Sequence, residues 1–178
     1  MRARQMFLSS AAALGLLVAA APAGAQVEIG VDAGLSSTRV DGSRLDVVQV
    51  DIPVQRLRVG FFVTPTVQLE SSLGYSRVEV DEIASSTLTL GTDLVVHLGA
   101  DPYAPQVYIA AGPSILRTDF GAGEETQLGV GGDIGLKLPA GDWISARLGV
   151  GYTRWLENDT LFGADEFGVF FGFSVFTR

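Results

Sequence analysis

Apolar and polar residues alternate with a period of two in segment after segment of this chain, and that pattern predicts β-strands. Eight such segments stand at 27–40, 46–63, 67–80, 84–99, 106–119, 125–138, 143–157 and 161–177. The third sets Val67, Leu69, Leu73 and Tyr75 on one face against Gln68, Glu70, Ser72, Gly74 and Ser76 on the other. The fourth sets Leu88, Leu90, Leu94, Val96 and Leu98 against Thr89, Gly91, Asp93, His97 and Gly99. The sixth and seventh divide in the same way, with Asp133, Lys137 and Arg147 among glycines on the polar face. No helical period interrupts the series, and 22 glycines lower helix propensity further. The chain reads as all-β.

The second segment breaks its own rhythm. Val48, Val50, Ile52 and Val54 keep one parity, whereas Leu57, Val59, Phe61 and Val63 keep the other. A one-residue shift near Pro53 to Arg56 predicts a bulge, which a proline tolerates better than a regular ladder.

The connectors fall into two classes. Thr64-Pro65-Thr66, Ala100 to Pro105 and Pro139 to Asp142 are proline-containing turns, whereas Asp41-Gly42-Ser43, Val80-Asp81-Glu82, "GAGEET" and "ENDTLFGADE" are acidic or glycine-rich. An even strand number puts both termini beside the proline turns and all the acidic loops, expected to run to about six to ten residues, at the other end.

Alternation alone does not say which face is inside. A soluble, lipocalin-like barrel turns its apolar rows inward, and a membrane barrel turns them to lipid. The polar face here is glycine, serine and single charges, which suits a cramped lumen better than an open aqueous surface. The apolar segments are about 10 residues long, enough for a tilted strand to cross a bilayer. The chain also ends on an apolar strand, "DEFGVFFGFSVFTR", whose exposure to water would be an aggregation hazard. A transmembrane barrel with those phenylalanines toward lipid resolves the difficulty. Tyr75, Tyr103, Tyr108, Trp143, Tyr152, Trp155 and Phe167 fall near strand ends, where an interfacial aromatic girdle is expected.

The first 25 residues have the three regions of a secretory signal: Arg2 and Arg4, an apolar run from Phe7 to Ala21, and the small-residue site Ala23-Gly24-Ala25. Cleavage after Ala25 leaves 26–178 as the barrel. The absence of cysteine excludes a lipoprotein signal, disulfide staples and thiolate metal sites.

The spacing Gly168-x-x-Phe171-x-Phe173, read as on the apolar parity with Val169 and Val175, resembles the C-terminal recognition signal of bacterial outer-membrane barrels. "DPYAPQVYIAAGPSIL" is similar to a strand start common among the small eight-stranded members, the OmpA/OmpX-like and opacity-type proteins. Pro113 and the trailing Thr177-Arg178 depart from the pattern. The resemblance implies an eight-stranded antiparallel up-and-down transmembrane β-barrel in the outer membrane of a Gram-negative bacterium. Gly168, Phe171 and Phe173 then form an insertion signal, and the implied partners are outer-membrane lipid and the barrel-assembly machinery.

Eight strands enclose an interior that side chains fill, so no open pore is expected. Arg56, Arg58, Glu70, Asp93, His97, Asp133, Lys137 and Arg147 are the candidate lumen charges, with Glu70 within diagonal reach of Arg58. A gate or proton path is one reading of them, and a structural charge network plugging the barrel is the favoured one, since buried charges must be paired. A formal charge of −8 and a single lysine argue against nucleic acid as a partner. A single histidine, with no adjacent serine, gives little basis for a zinc site, a cofactor or catalysis. The expected function is non-enzymatic, envelope-structural or surface-interacting. The alternatives are a soluble lipocalin-like ligand carrier and a lipid A-modifying outer-membrane enzyme.

Overall fold

Every alternating segment forms a strand: β1 (Val27–Val40), β2 (Asp46–Thr64), β3 (Val67–Val80), β4 (Ile83–His97), β5 (Gln106–Asp119), β6 (Glu124–Pro139), β7 (Ile144–Trp155) and β8 (Ala164–Phe176). The computed structural model describes residues 26–41, 46–80, 83–99, 101, 104–119 and 123–177, with side chains described outside 46–55 and 77–84. The export signal expected over residues 1–25, and Tyr103, lie outside the described residues. Each strand pairs antiparallel with its neighbour in sequence, and β1 pairs with β8 from Glu28–Phe176 to Val40–Ala164, which closes the barrel. Closure gives the terminal strand partners on both sides and leaves no edge for aggregation.

Side-chain parity settles which face is inside. Along β5, Gln106, Tyr108 and Ala110 are buried while Val107, Ile109 and Ile115 are exposed. Along β8, Phe167, Val169, Phe171, Phe173 and Val175 all point outward. Leu128, Val130, Ile134, Leu136 and Leu138 of β6, with Leu148 and Val150 of β7, continue the apolar exterior. Such a surface fits a bilayer and is untenable in water, which excludes the soluble lipocalin-like alternative.

Not all the terminal phenylalanines meet lipid, and here the expectation is corrected. Phe170 and Phe176 alternate with the outward set; Phe170 packs on Val95, Tyr108 and Ala110 inside, and the Phe176 ring lies 6.4 Å from that of Phe62. Adjacent residues of a strand face opposite ways, so Phe170 and Phe171 cannot both reach the membrane.

The β2 irregularity stands where the parity change put it. Asp32 pairs with Arg56 and Gly34 with Asp51, so Ala33 alone spans residues 52–55. Pro53, inside this excess, has no N–H to lose from the ladder.

The two ends differ. Residues 65–66, 98–105 and 140–143 connect strands at the end shared with the termini, the turn end. Residues 41–45, 81–82, 120–123 and 156–163 connect them at the opposite, loop end. Most of these loops are shorter than the expected six to ten residues, because the ladders run further: β3 and β4 stay paired out to Val80–Ile83.

Candidate functional site

The inward rows of the eight strands meet in a lumen whose turn-end half is packed solid. Phe62 and His97 stack there with ring centroids 5.3 Å apart, and Phe176 lies against Phe62. Above this aromatic floor, Lys137 Nζ donates to Glu28 Oε2 at 2.6 Å and to Gln68 Oε1 at 3.2 Å. Gln68 Nε2 donates to the same Glu28 oxygen at 2.8 Å. Its carbonyl oxygen lies 3.1 Å from His97 Nε2. An amide oxygen can only accept, so His97 carries its proton on Nε2 in this contact.

The next layer centres on Glu70, clasped between two arginines. Arg58 Nη1 donates to Glu70 Oε2 at 2.9 Å, and Arg147 Nη1 donates to both Glu70 oxygens at 2.8 and 3.0 Å. The second edge of Arg58 forms a fork on Asp32, Nε to Oδ2 at 2.6 Å and Nη2 to Oδ1 at 2.9 Å. Arg147 reaches Asp133 Oδ1 with Nη2 at 3.0 Å and the Tyr108 hydroxyl with Nε at 2.6 Å. Its guanidinium also lies 4.3 Å from the Tyr108 ring centroid. Charges this deeply buried persist only when their donors and lone pairs are matched, and bidentate arginine–carboxylate pairs supply that match.

Every strand contributes to this plug: Asp32, Arg58, Glu70, His97, Tyr108, Lys137, Arg147 and Ser174 come from β1 to β8 in order. The polar cluster therefore ties together strands that the backbone ladder joins only pairwise. Glycines supply the space. A Cβ on Gly149 would lie 2.5 Å from Phe170 Cζ and 2.8 Å from the Tyr108 oxygen, and one on Gly172 would collide with Asp32.

All eight candidate lumen charges face inward. Arg58, Glu70, Asp133, Lys137, Arg147 and His97 sit in the plug, while Arg56 and Asp93, joined at 3.4 Å, stand at its upper boundary. Glu28, Asp32, Gln68 and Tyr108 complete the network and were not among the candidates. Parity was the available signal, since Glu28 and Asp32 flank the outward Ile29 and Val31.

The aromatic girdle is corrected at two positions. Tyr75, Trp143, Tyr152 and Phe167 point outward, but Tyr108 is fully buried in the plug, and Trp155 is buried with its indole N–H donating to Glu166 at 2.8 Å. Phe171 and Phe173 face outward, edge to face, with ring centroids 4.9 Å apart. Gly168 stands on the inward row, not on the apolar parity expected for it.

Above the plug the lumen opens into a cavity of about 570 Å³ that reaches the loop end, where Thr160, Leu161 and Phe162 border it.

No protein-family model matches the sequence, and no curated protein matches it. Solved structures do. Neisserial surface protein A superposes with a TM-score of 0.64 over 84% of this chain and 96% of its own, at 13% identity. OprG from Pseudomonas aeruginosa matches with a TM-score of 0.57 over 87% of this chain and 96% of its own, at 13% identity. The outer membrane enzyme PagL matches with a TM-score of 0.52 over 80% of this chain and 97% of its own, at 16% identity. At such identities the likeness is one of architecture: this chain has the fold of the small eight-stranded outer-membrane β-barrels.

Proposed function

We propose that this protein is a non-enzymatic integral protein of the Gram-negative outer membrane, a sealed barrel serving envelope structure or presenting its short loops at the cell surface. The carrying observation is the Arg58–Glu70–Arg147 clasp across the lumen, enclosed by an apolar exterior. A channel requires a continuous aqueous path. Among the described residues the turn-end half offers few spare polar groups to line one: its arginines are occupied, its floor is aromatic, and Glu28 Oε1, His97 Nδ1 and Ser145 Oγ are the buried atoms there without a hydrogen-bond partner.

The insertion-signal role of Gly168, Phe171 and Phe173 belongs to the same proposal, with the barrel-assembly machinery as the partner reading that strand. The fold alone does not select against catalysis, since PagL is an outer membrane enzyme. The residues of this chain favour the non-enzymatic reading. Its one histidine is 2% exposed, stacked on Phe62 and bonded to Gln68, out of reach of any substrate arriving from lipid.

Fractionation tests the placement, and planar-bilayer recording tests the seal. The protein is expected in the outer-membrane fraction with heat-dependent gel mobility, and the reconstituted barrel is expected to show no steady ion conductance. Recovery from the soluble periplasmic fraction, or a persistent open-channel current, would overturn the proposal.

A further inference from the structure

The cavity above the plug has a definite chemistry. Its walls mix inward-facing hydroxyls, among them Ser72, Thr89, Ser114 and Thr118, with the apolar side chains of Leu116 and Phe170. Its base carries three carboxylates, Asp32, Asp93 and Asp133, beside the partly exposed guanidinium of Arg56. Near the loop end Trp155 forms part of the wall, laid across Gly129 so closely that a Cβ there would lie 2.6 Å from the indole Cε3. Glu166 holds the indole N–H at 2.8 Å, which fixes the ring. Gln127 Nε2 donates to the Leu156 and Phe162 carbonyls at 3.0 and 2.9 Å, anchoring both ends of the bordering loop.

We propose that this cup binds a small neutral saccharide of one or two rings. Three exclusions select that class. Anions meet a base with more carboxylates than cations. Metal or organic cations meet carboxylates that already have donors, Asp93 from Arg56, Asp133 from Arg147 and Glu166 from Trp155. An apolar guest would strip water from the wall hydroxyls without offering them a partner.

A polyhydroxyl ring satisfies what is left. Each paired carboxylate retains lone pairs that accept from sugar hydroxyls, the wall hydroxyls donate or accept as needed, and the C–H side of a ring meets the apolar lining of Leu116 and Phe170, beside the largely buried Trp155. The volume lies within the range of about 300–1,000 Å³ usual for small-molecule sites. Binding here and sealing below share Asp32 and Asp133 but are read out separately: conductance tests one and ligand titration the other.

The chain has two tryptophans, Trp143 and Trp155, and Trp143 projects from the outer surface at the turn end. A Trp143→Phe protein in detergent micelles therefore reports Trp155 alone. Titration with glucose, galactose, maltose and lactose is expected to give a saturable fluorescence change with at least one of them, with Kd on the order of 1 mM. Asp93→Asn is expected to weaken that affinity about tenfold. Ser114→Leu, which fills the cup, is expected to abolish binding while heat-dependent gel mobility persists; Thr89→Leu serves the same purpose where Ser114→Leu does not fold. A response to none of the four sugars, a response only to magnesium or to 1-naphthol, or sugar binding unchanged in the filled variants would overturn the proposal.

Discussion

The two halves of the lumen share one wall, one strand count and one parity, yet one is solid and the other hollow. At the turn end the inward rows carry Arg58, Glu70, Gln68, Tyr108, Lys137 and Arg147, long side chains that cross the interior and meet. At the loop end the same rows carry Ser76, Thr87, Ser114, Thr118 and Gly131, too short to meet, and the cavity remains. Strand number fixes the radius of a barrel, but side-chain volume decides whether that radius is filled. The filled half holds the strands together; the empty half is free to bind.

The sharpest way to break this contrast is to remove the hub of the filled half. Glu70→Ala leaves Arg58 and Arg147 facing each other with one shared carboxylate gone, and loss of one partner from a buried ion pair costs about 3–5 kcal/mol. Urea unfolding of the reconstituted barrel is expected to show a larger loss of stability than any single substitution on the outer wall or at the rim produces. A loss no greater than that of a rim substitution would mean that the plug fills space without holding the barrel.

The outer wall provides the next effect. Phe171→Arg, near the middle of β8, places a charge on the lipid face at a cost of about 2–4 kcal/mol at the bilayer midplane. It also alters the proposed insertion signal, so equilibrium stability and assembly yield are to be measured separately. Gly149→Leu follows. It drives a side chain into Phe170 and Tyr108, an overpacking that costs about 1–3 kcal/mol.

Much of this contrast was readable from the chain. Period-two alternation located every strand within a few residues, and the parity change around Pro53 located the bulge, because both are local signals. The Arg58–Glu70 contact was legible too, since a two-residue turn at Pro65 fixes the register of one hairpin. Arg147 with Glu70 was not. Those residues are 77 apart on β7 and β3, which never pair, and only the closure of the barrel brings them together across its diameter. Tyr108 and Trp155 show two signals in conflict. Both lie near strand ends, where a girdle is expected, but both stand on the inward parity, and a strand cannot turn one residue outward without a bulge. The cavity was the least legible feature, because serine and threonine on an inward row look the same whether they touch a neighbour or leave a void.

The hollow half is expected to tolerate what the filled half does not. Ser114→Val and Thr118→Val remove hydroxyls from a wall that packs against little, and each is expected to shift stability by no more than about 0.5 kcal/mol in the same urea assay. A loss comparable to that of Gly149→Leu would show that the cup wall is as tightly coupled as the plug.

Beyond the cup, the loop-end rim carries the weakest of the ionic contacts. Arg154 donates to both oxygens of Asp41, from Nη1 at 3.1 Å, and Nη1 also lies 3.1 Å from Asp165. Unlike the plug pairs these groups are exposed, so solvent and salt screen them. Hydrogen bonding from Arg154, aided by its charge, holds the Asp41 carboxyl below the usual aspartate range. A depressed carboxylate contributes stability above its unfolded pKa, near 3.9, and loses it as pH falls through the folded value. The small stability difference between wild type and Arg154→Ala is therefore expected at neutral pH and low salt, to narrow in about 1 M salt, and to close below about pH 4. Because the acid response of the plug is common to both proteins, the difference isolates the rim; a gap that widens in acid or ignores salt would place Arg154 with the buried network instead.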